Sequence, residues 1–176
     1  MQGICIKMQI RSEKPADYQE ISEIIWQAFG QDNEVRLVQE IRKSTRYIPN
    51  LSLVAEVDSI IVGHILFSYI DLVNDDMTYK VLGLAPLAVK SHFQNQGIGS
   101  ALVQEGLAKA DAMTESMAIV LGHPQFYNRF GFKPSIEYGI ESPFPVPEDF
   151  FMVKTLSSYQ NIQRGKVVYP SAFLGV

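Results

Sequence analysis

A turn with two glycines, residues 94–99 (QNQGIG), lies between a long apolar segment and a segment with helical spacing. A helix N-terminus carries about half a positive charge and several unpaired backbone N–H groups. Gly97 and Gly99 let the backbone approach an anion because no Cβ stands in the way. The pattern is therefore typical of a pyrophosphate cradle, with neutral donors added by the three polar side chains that precede Gly97. A tight strand-to-helix turn without a ligand would also use glycines at this spacing.

Two other phosphate-binding motifs fit this turn less well. A P-loop needs Lys followed by Ser or Thr after its second glycine, whereas Ser100 and Ala101 follow Gly99. Leu102 takes the place of the third glycine in a dinucleotide-binding fingerprint. Both motifs are therefore disfavoured.

A second constellation is the aromatic segment GHPQFYNRFGF, residues 122–132, which directly follows a predicted buried strand. Tyr127 is a candidate proton donor to a leaving group whose pKa is about 8 to 10, such as a thiolate. His123 precedes Tyr127 by four residues, so the two side chains would share one face of a short helix. A tyrosine in an aromatic cluster is also a common core residue, and spacing alone leaves that alternative open.

The elements that must position these residues follow from hydrophobic periodicity. Alternating or β-rich apolar runs predict strands at residues 2–11, 51–57, 60–70, 79–89, 116–121, 151–156 and 166–170. Helical spacing predicts a helix between Pro15 and Gly30 and further helices over residues 33–43, 98–113 and 124–130. The order strand, glycine turn, helix, strand over residues 79–121 indicates a βαβ unit with locally parallel strands.

Local features refine this outline. Pro86 cannot donate to a strand ladder, so we expect a bulge in the fourth strand. Cys5, in the first predicted strand, is expected to be a small buried hydrophobe rather than a catalytic nucleophile. The first helix carries one apolar stripe, formed by Ile21, Ile24, Ile25, Ala28 and Phe29.

The composition excludes several classes of protein. The 176 residues are 47% hydrophobic and 19% charged, a balance that predicts a single globular domain over residues 1–176. The formal charge of −4 and the lack of basic runs argue against nucleic-acid partners. No apolar stretch approaches 18 residues, so we expect no membrane span, no signal peptide and a cytoplasmic location. A lone cysteine excludes an intramolecular disulfide, and no cluster of residues has metal-ligand spacing.

The two constellations together resemble a known family. The stretch VLGLAPLAVKSHFQNQGIGSALV resembles the acetyl-CoA signature of the GNAT superfamily of N-acetyltransferases, with Gln94, Gly97 and Gly99 matching its Gln/Arg-x-x-Gly-x-Gly/Ala pattern. Residues 126–132 (FYNRFGF) look like the second landmark of that superfamily, a Phe-Tyr followed shortly by Gly-Phe. The whole chain is also similar to a bacterial subgroup of predicted acetyltransferases.

The resemblance implies a fold and a cofactor site. The fold would be a single α/β domain with a mixed, mostly antiparallel central sheet of about seven strands, flanked by helices. The sheet would splay apart after the apolar strand to hold acetyl-CoA, with Tyr127 protonating the departing CoA thiolate. The implied cofactor-binding residues, chiefly through backbone groups, are Leu87, Ala88, Val89, Gln94, Asn95, Gln96, Gly97, Ile98, Gly99 and Ser100.

The resemblance also implies a reaction, direct transfer of the acetyl group from acetyl-CoA to a primary amine of a small molecule or peptide in a ternary complex. Backbone donors would polarise the thioester carbonyl, and the amine must lose a proton before it attacks. Related sequences often carry an acidic residue where this one has His123, so the base stays unassigned. The candidates on the acceptor side are Glu34, His64, His123 and Phe144. Homodimers are common for such folds, but the sequence itself does not specify the oligomeric state.

Two alternatives from other classes stay open. The first is a non-catalytic acyl-CoA-binding sensor or regulatory module, and the second is a protein-interaction domain. A catalytic role for Tyr127 and an open acceptor pocket would distinguish an enzyme from the first alternative. A CoA-induced rise in melting temperature would argue against the second.

Overall fold

The computed structural model describes residues 7–175, which form one mixed, mostly antiparallel sheet with four α-helices. The strands are β1 (Met8–Ser12), β2 (Ser52–Val57), β3 (Ile60–Asn74), β4 (Met77–Val89), β5 (Met117–Leu121), β6 (Lys133–Pro134), β7 (Ile140–Glu141), β8 (Phe151–Thr155) and β9 (Gly165–Val168). The helices are α1 (Tyr18–Phe29), α2 (Asn33–Arg42), α3 (Ile98–Ala112) and α4 (Pro124–Tyr127).

The strand order is β1-β2-β3-β4-β5-β8-β6, and β9 pairs with the far end of β3 and with β7. The β4–β5 pair is parallel and joined through α3, which confirms the predicted βαβ unit. This pairing comprises only two residue pairs, Leu82 with Ala118 and Gly83 with Ile119. The two halves of the sheet, one ending at β4 and the other beginning at β5, are therefore joined only over this short stretch.

Helices cover both faces of the sheet. On one face, Leu102 and Val103 of α3 belong to the same buried cluster as Phe67 of β3. On the other face, Ile21 of α1 and Leu37 of α2 belong to a second cluster, to which the strands also contribute. Complete burial of one such side chain contributes roughly 1.5–3 kcal/mol, so two covered faces fix the strands in place.

The structure matches the predicted elements with local differences. The nine strands include two of only two residues, β6 and β7, which are too short for any hydrophobic period to reveal. Ala28 and Phe29 are exposed at the end of α1 rather than buried, whereas Gly30 ends the helix as predicted, with φ 70°. Residues 2–6 of the first predicted strand, with Cys5, lie outside the described residues.

The predicted bulge at Pro86 is confirmed. Ile65 pairs with Leu87 and Phe67 with Leu84, so β4 carries one more residue than β3 across this step. The bulge lies where β4 leaves β5, and it re-aims the last residues of β4. Among residues 7–175, no helix combines the length and the hydropathy needed to cross a bilayer.

Candidate active site

The opening between β4 and β5 forms a cleft of about 610 Å³. The two strands diverge because β4 stays paired with β3 as far as Val89, while β5 stays paired with β8 as far as Leu121. Residues 83–87 line one side of the cleft and residues 120–123 line the other. Its volume lies in the range of about 300–1,000 Å³ that is typical of small-molecule sites.

The glycine turn adjoins this cleft and is open to solvent. Gly97 has φ +83°, and a β-carbon built there would have no atom within 4 Å. A β-carbon at Gly99 would lie 3.7 Å from Phe126 Cζ, a residue of the cleft lining. In the described part of the chain, no backbone N–H from Asn95 to Ser100 donates a hydrogen bond. The start of α3 therefore offers a row of unused donors beside the cleft, as an anion cradle requires.

The polar side chains of the turn have a different role from the one expected. Gln94 Nε2 donates to the Val89 carbonyl at 3.0 Å, and Gln96 Nε2 donates to the His92 carbonyl at 3.1 Å. Both side chains thus hold the turn in shape instead of extending a ring of donors around a ligand. Asn95 adopts φ 60°, a left-handed conformation that asparagine tolerates better than most residues. The donors of the turn that have no hydrogen-bond partner in the described part of the chain therefore include its backbone N–H groups from Asn95 to Ser100.

The three candidate residues at the end of β4 are Leu87, Ala88 and Val89. Their backbone groups do not all face the same way, because successive residues of a strand direct these groups to opposite sides. The Lys90 N–H donates to the Val62 carbonyl at 2.8 Å, which makes His64 and Ala88 the next hydrogen-bonded pair. The polar backbone groups of Ala88 therefore point at β3, and the sequence-based expectation that they face the cofactor is wrong. The backbone groups of Leu87 and Val89 point the other way, towards the opening, where the Val89 carbonyl already accepts from Gln94.

Tyr127 is the last residue of the short helix α4 and lines the cleft. The helix predicted over residues 124–130 continues beyond α4 as a 3-10 turn, Asn128–Phe130. Its ring packs edge-on against Phe126 and Phe132, with centroid distances of 4.9 and 5.4 Å. Burial raises the pKa of Tyr127 to about 12. Because the hydroxyl stays protonated at neutral pH, it is in the form that a proton donor requires.

Three of the four candidate acceptor-side residues lie in the same cleft. Glu34 comes from the first turn of α2, His123 from the residue that precedes α4, and Phe144 from the proline-rich loop before β8. Gln31 Nε2 donates to both carboxylate oxygens of Glu34, at 3.0 and 3.1 Å. The fold thus assembles these side chains from segments that are far apart in sequence.

His64 does not belong to this group. Its side chain is fully buried, and its Nε2 lies 3.2 Å from Glu13 Oε2 and 3.1 Å from Ser52 Oγ. Arg42 and Tyr47 also donate to the Glu13 carboxylate. Burial lowers the pKa of His64, so the imidazole is neutral and its Nε2–H is the donor to this network. The expectation that His64 binds substrate is wrong, because its side chain is enclosed with these polar partners away from the cleft.

Sequence reasoning missed one cation and several aromatic residues at this site. Arg129 Nη2 donates to Ser100 Oγ at 3.1 Å, which brings a guanidinium to the first turn of α3. Its place in the aromatic segment, near the glycine turn in any βαβ unit, was the available signal. Phe29, Tyr169 and Phe173 line the cleft from both ends of the chain. No local pattern marks them, because only the tertiary fold brings them together.

The described residues contain no group of three or more His, Cys, Asp or Glu side chains arranged to hold a metal ion. The donors of the site are instead backbone N–H groups, one guanidinium and one phenol. This donor set suits a diphosphate-bearing ligand with a neutral tail.

Comparison with known proteins identifies the family. The family model for the acetyltransferase (GNAT) domain matches residues 49–134. Two proteins of Escherichia coli K12, both named as uncharacterized N-acetyltransferases, are similar over most of the chain. YhbS is 32% identical, over 85% of this chain and 88% of its own length. YjhQ is 34% identical, over 76% of this chain and 75% of its own length.

Solved structures agree with this assignment. YhbS from Escherichia coli in complex with CoA superposes with a TM-score of 0.88 and 28% identity, covering 98% of this chain and 95% of that one. A GNAT-family acetyltransferase from Brucella melitensis in complex with acetyl-CoA has a TM-score of 0.77 and 30% identity, covering 95% and 98%. The chain belongs to the GNAT superfamily and is an N-acetyltransferase.

Proposed function

We propose that this protein transfers the acetyl group of acetyl-CoA directly to a primary amine of a small molecule or peptide, with both substrates bound at once. The observation that carries the proposal is the contact between the glycine turn and the cleft, with Tyr127 in the cleft wall. The CoA and acetyl-CoA complexes of the two structural relatives support the choice of acyl donor.

The turn and β4 would hold the acyl donor. The unused N–H groups from Asn95 to Ser100 would receive the diphosphate, and Arg129 would add a positive charge beside them. The N–H and C=O groups of Leu87 and the N–H of Val89 face the opening, where they would hydrogen-bond the pantetheine arm and polarise the thioester carbonyl. The Val89 carbonyl already accepts from Gln94. Ile98 is buried, so it would contribute its N–H alone.

The reaction requires two proton movements. The amine nitrogen forms a bond to the thioester carbon after losing a proton, and we assign that proton to His123, an imidazole of the cleft lining, directly or through water. The carbon–sulfur bond breaks, and the thiolate takes its proton from the Tyr127 hydroxyl, which is refilled from solvent. Holding both substrates in one cleft supplies much of the remaining acceleration.

The test is a thiol-release assay with acetyl-CoA and a panel of primary amines, combined with mass spectrometry of the amine products. We expect amine-dependent CoA release and a product heavier by one acetyl group. CoA release that does not depend on any amine, or the absence of release when CoA still raises the melting temperature, would contradict the proposal. The second outcome would favour a non-catalytic acyl-CoA-binding module.

A further inference from the structure

Few ionisable side chains of the acidic or basic kind line the cleft. Glu34 is the only acidic residue among those that line it in the described chain. No lysine or arginine of residues 7–175 lines it, and His123 is its only basic residue. A cationic amine would therefore meet one carboxylate, whereas a carboxylate on the same substrate would meet no permanent positive charge.

The Glu34 side chain is held in place. The two hydrogen bonds from Gln31 fix both of its oxygens, and Leu37, one turn further along α2, is buried against the body of the protein. An oriented carboxylate discriminates between positions of a charged group better than a mobile one. A single such group suits a single ammonium, because a polyamine would leave its further charges in apolar surroundings.

The rest of the acceptor side is aromatic. Phe144, Tyr169 and Phe173 form a continuous wall, with ring centroids 5.4 Å apart for the first pair and 4.8 Å for the second. Phe144 is 42% exposed, and Phe29, another residue of the lining, is 41% exposed. These two rings keep apolar surface that a ligand ring or hydrocarbon group would cover.

We infer that the acceptor is an arylalkyl monoamine, with its ammonium on Glu34 and its ring on the wall formed by Phe144, Tyr169 and Phe173. This inference rests on the proposed function and narrows it. The same features disfavour α-amino acids, whose carboxylate would lie close to Glu34, and polyamines, whose additional charges have no partner in the cleft as the described residues form it.

The experiment compares kcat/KM for four probes: 2-phenylethylamine, ethylamine, phenylalanine and spermidine. Ring burial and aromatic contact together favour the aryl substrate, so we expect kcat/KM for 2-phenylethylamine to be at least tenfold higher than for ethylamine. The kcat/KM for 2-phenylethylamine should also be at least tenfold higher than the values for phenylalanine and spermidine. If phenylalanine or spermidine is the better substrate, the assigned class is wrong while the acetyltransferase proposal stands. If none of these or any other amine is acetylated although CoA binds, the proposed function itself fails.

A matched pair of variants tests the role of Glu34. Glu34→Gln should raise KM for 2-phenylethylamine by about tenfold or more, without changing the dissociation constant of CoA. Glu40→Gln, on the exposed part of the same helix and paired with Lys43, should change neither quantity. Equal effects of the two variants, or no effect of Glu34→Gln, would overturn the assignment. Circular dichroism and the unchanged CoA affinity show whether Glu34→Gln has kept the fold.

Discussion

Gly122 and Tyr127 are in direct contact across the turn that follows β5, and a β-carbon at Gly122 would overlap the Tyr127 ring. The glycine is therefore required by the space that the ring occupies rather than by an unusual backbone angle. This contact fixes the ring against the end of β5, between Phe126 and Phe132. The position of the proposed proton donor thus depends on the absence of one methyl group.

Gly122→Ala should displace the Tyr127 ring and lower kcat by tenfold or more, because a proton donor acts only within hydrogen-bond reach. The dissociation constant of CoA, measured by calorimetry, should change little, since the glycine turn is untouched. The control is the same substitution in a Tyr127→Phe background. If Gly122→Ala lowers kcat by the same factor in that background as in the native protein, its effect does not act through the Tyr127 hydroxyl.

Tyr127→Phe should bind CoA normally and lose roughly 100-fold or more in kcat, the usual contribution of a positioned acid. Because burial raises the pKa of Tyr127 to about 12, the native enzyme should show no loss of kcat from this group as the pH rises to about 10. The measurement is a kcat profile between about pH 6 and about pH 10. An unchanged kcat in the variant would remove Tyr127 from the mechanism.

Gly97→Ala and Gly30→Ala form a matched pair. Both glycines have positive φ, +83° and +70°, and a β-carbon added at either one would have no atom within 4 Å. Each substitution should cost about 1–2 kcal/mol of stability through the left-handed backbone alone. Only Gly97→Ala places its methyl group in the open cradle, so only it should weaken CoA binding, by about tenfold or more. Equal CoA affinities would argue against the cradle.

Arg129→Gln should raise the dissociation constant of CoA by about tenfold, the value of a charge-assisted hydrogen bond. The effect should shrink in about 1 M salt, where the screening length falls to about 3 Å. Pantetheine, which lacks the diphosphate, should bind both forms equally. Arg164, an exposed arginine that donates to the Asn161 carbonyl, provides the control Arg164→Gln. The Arg129 guanidinium also lies over the Phe126 ring, 4.9 Å from its centroid, so an identical loss with pantetheine would show that Arg129 acts through that packing instead.

Glu13→Gln should destabilise the fold at neutral pH by about 3–5 kcal/mol, because it leaves Arg42 without its buried partner. Burial opposes ionisation of Glu13, but hydrogen bonds from His64 and Arg42 prevail and hold its pKa well below the usual range. Stability from a lowered carboxyl pKa is present above about pH 4.3 and is lost as the pH falls further. Because burial lowers the pKa of His64, both proteins also lose stability as the pH falls below about 6.5. Denaturant unfolding from about pH 7 to about pH 3 should therefore show the difference between native protein and variant narrowing only near pH ~4 and below.

The arrangement of β4, the glycine turn, α3 and β5 could be predicted because its signals are local. Each signal, namely the glycine pair, the start of α3 and the Phe-Tyr segment, is contained in a short stretch of sequence. The hydrophobic period of the neighbouring segments shows where the strands and helices around these stretches begin and end. The prediction for Tyr127 needed only that β5 ends beside the glycine turn, which any βαβ unit ensures.

The errors arose where strand register decides the outcome. His64 and Ala88 face each other across β3 and β4, and one residue of shift would exchange inward and outward groups for both. The register between β2 and β3 shifts at Ala55 and Glu56, where β3 carries one extra residue. Tyr169 reaches the cleft only because the chain that follows β9 returns to it. No spacing in the sequence encodes that return.

The two-residue junction between β4 and β5 has a consequence for solvent. Beyond Gly83, β4 and β5 are no longer paired with each other. The N–H and C=O groups of Leu87 face the opening between them, so water must hydrate these groups whenever no ligand is bound there. An extended amide-containing chain that displaced this water would act as a temporary strand and restore the continuity of hydrogen bonding from β3 to β8. Hydrogen bonding between β4 and β5 is thus interrupted beyond Gly83, and a ligand that bridged the two strands would stiffen this part of the sheet.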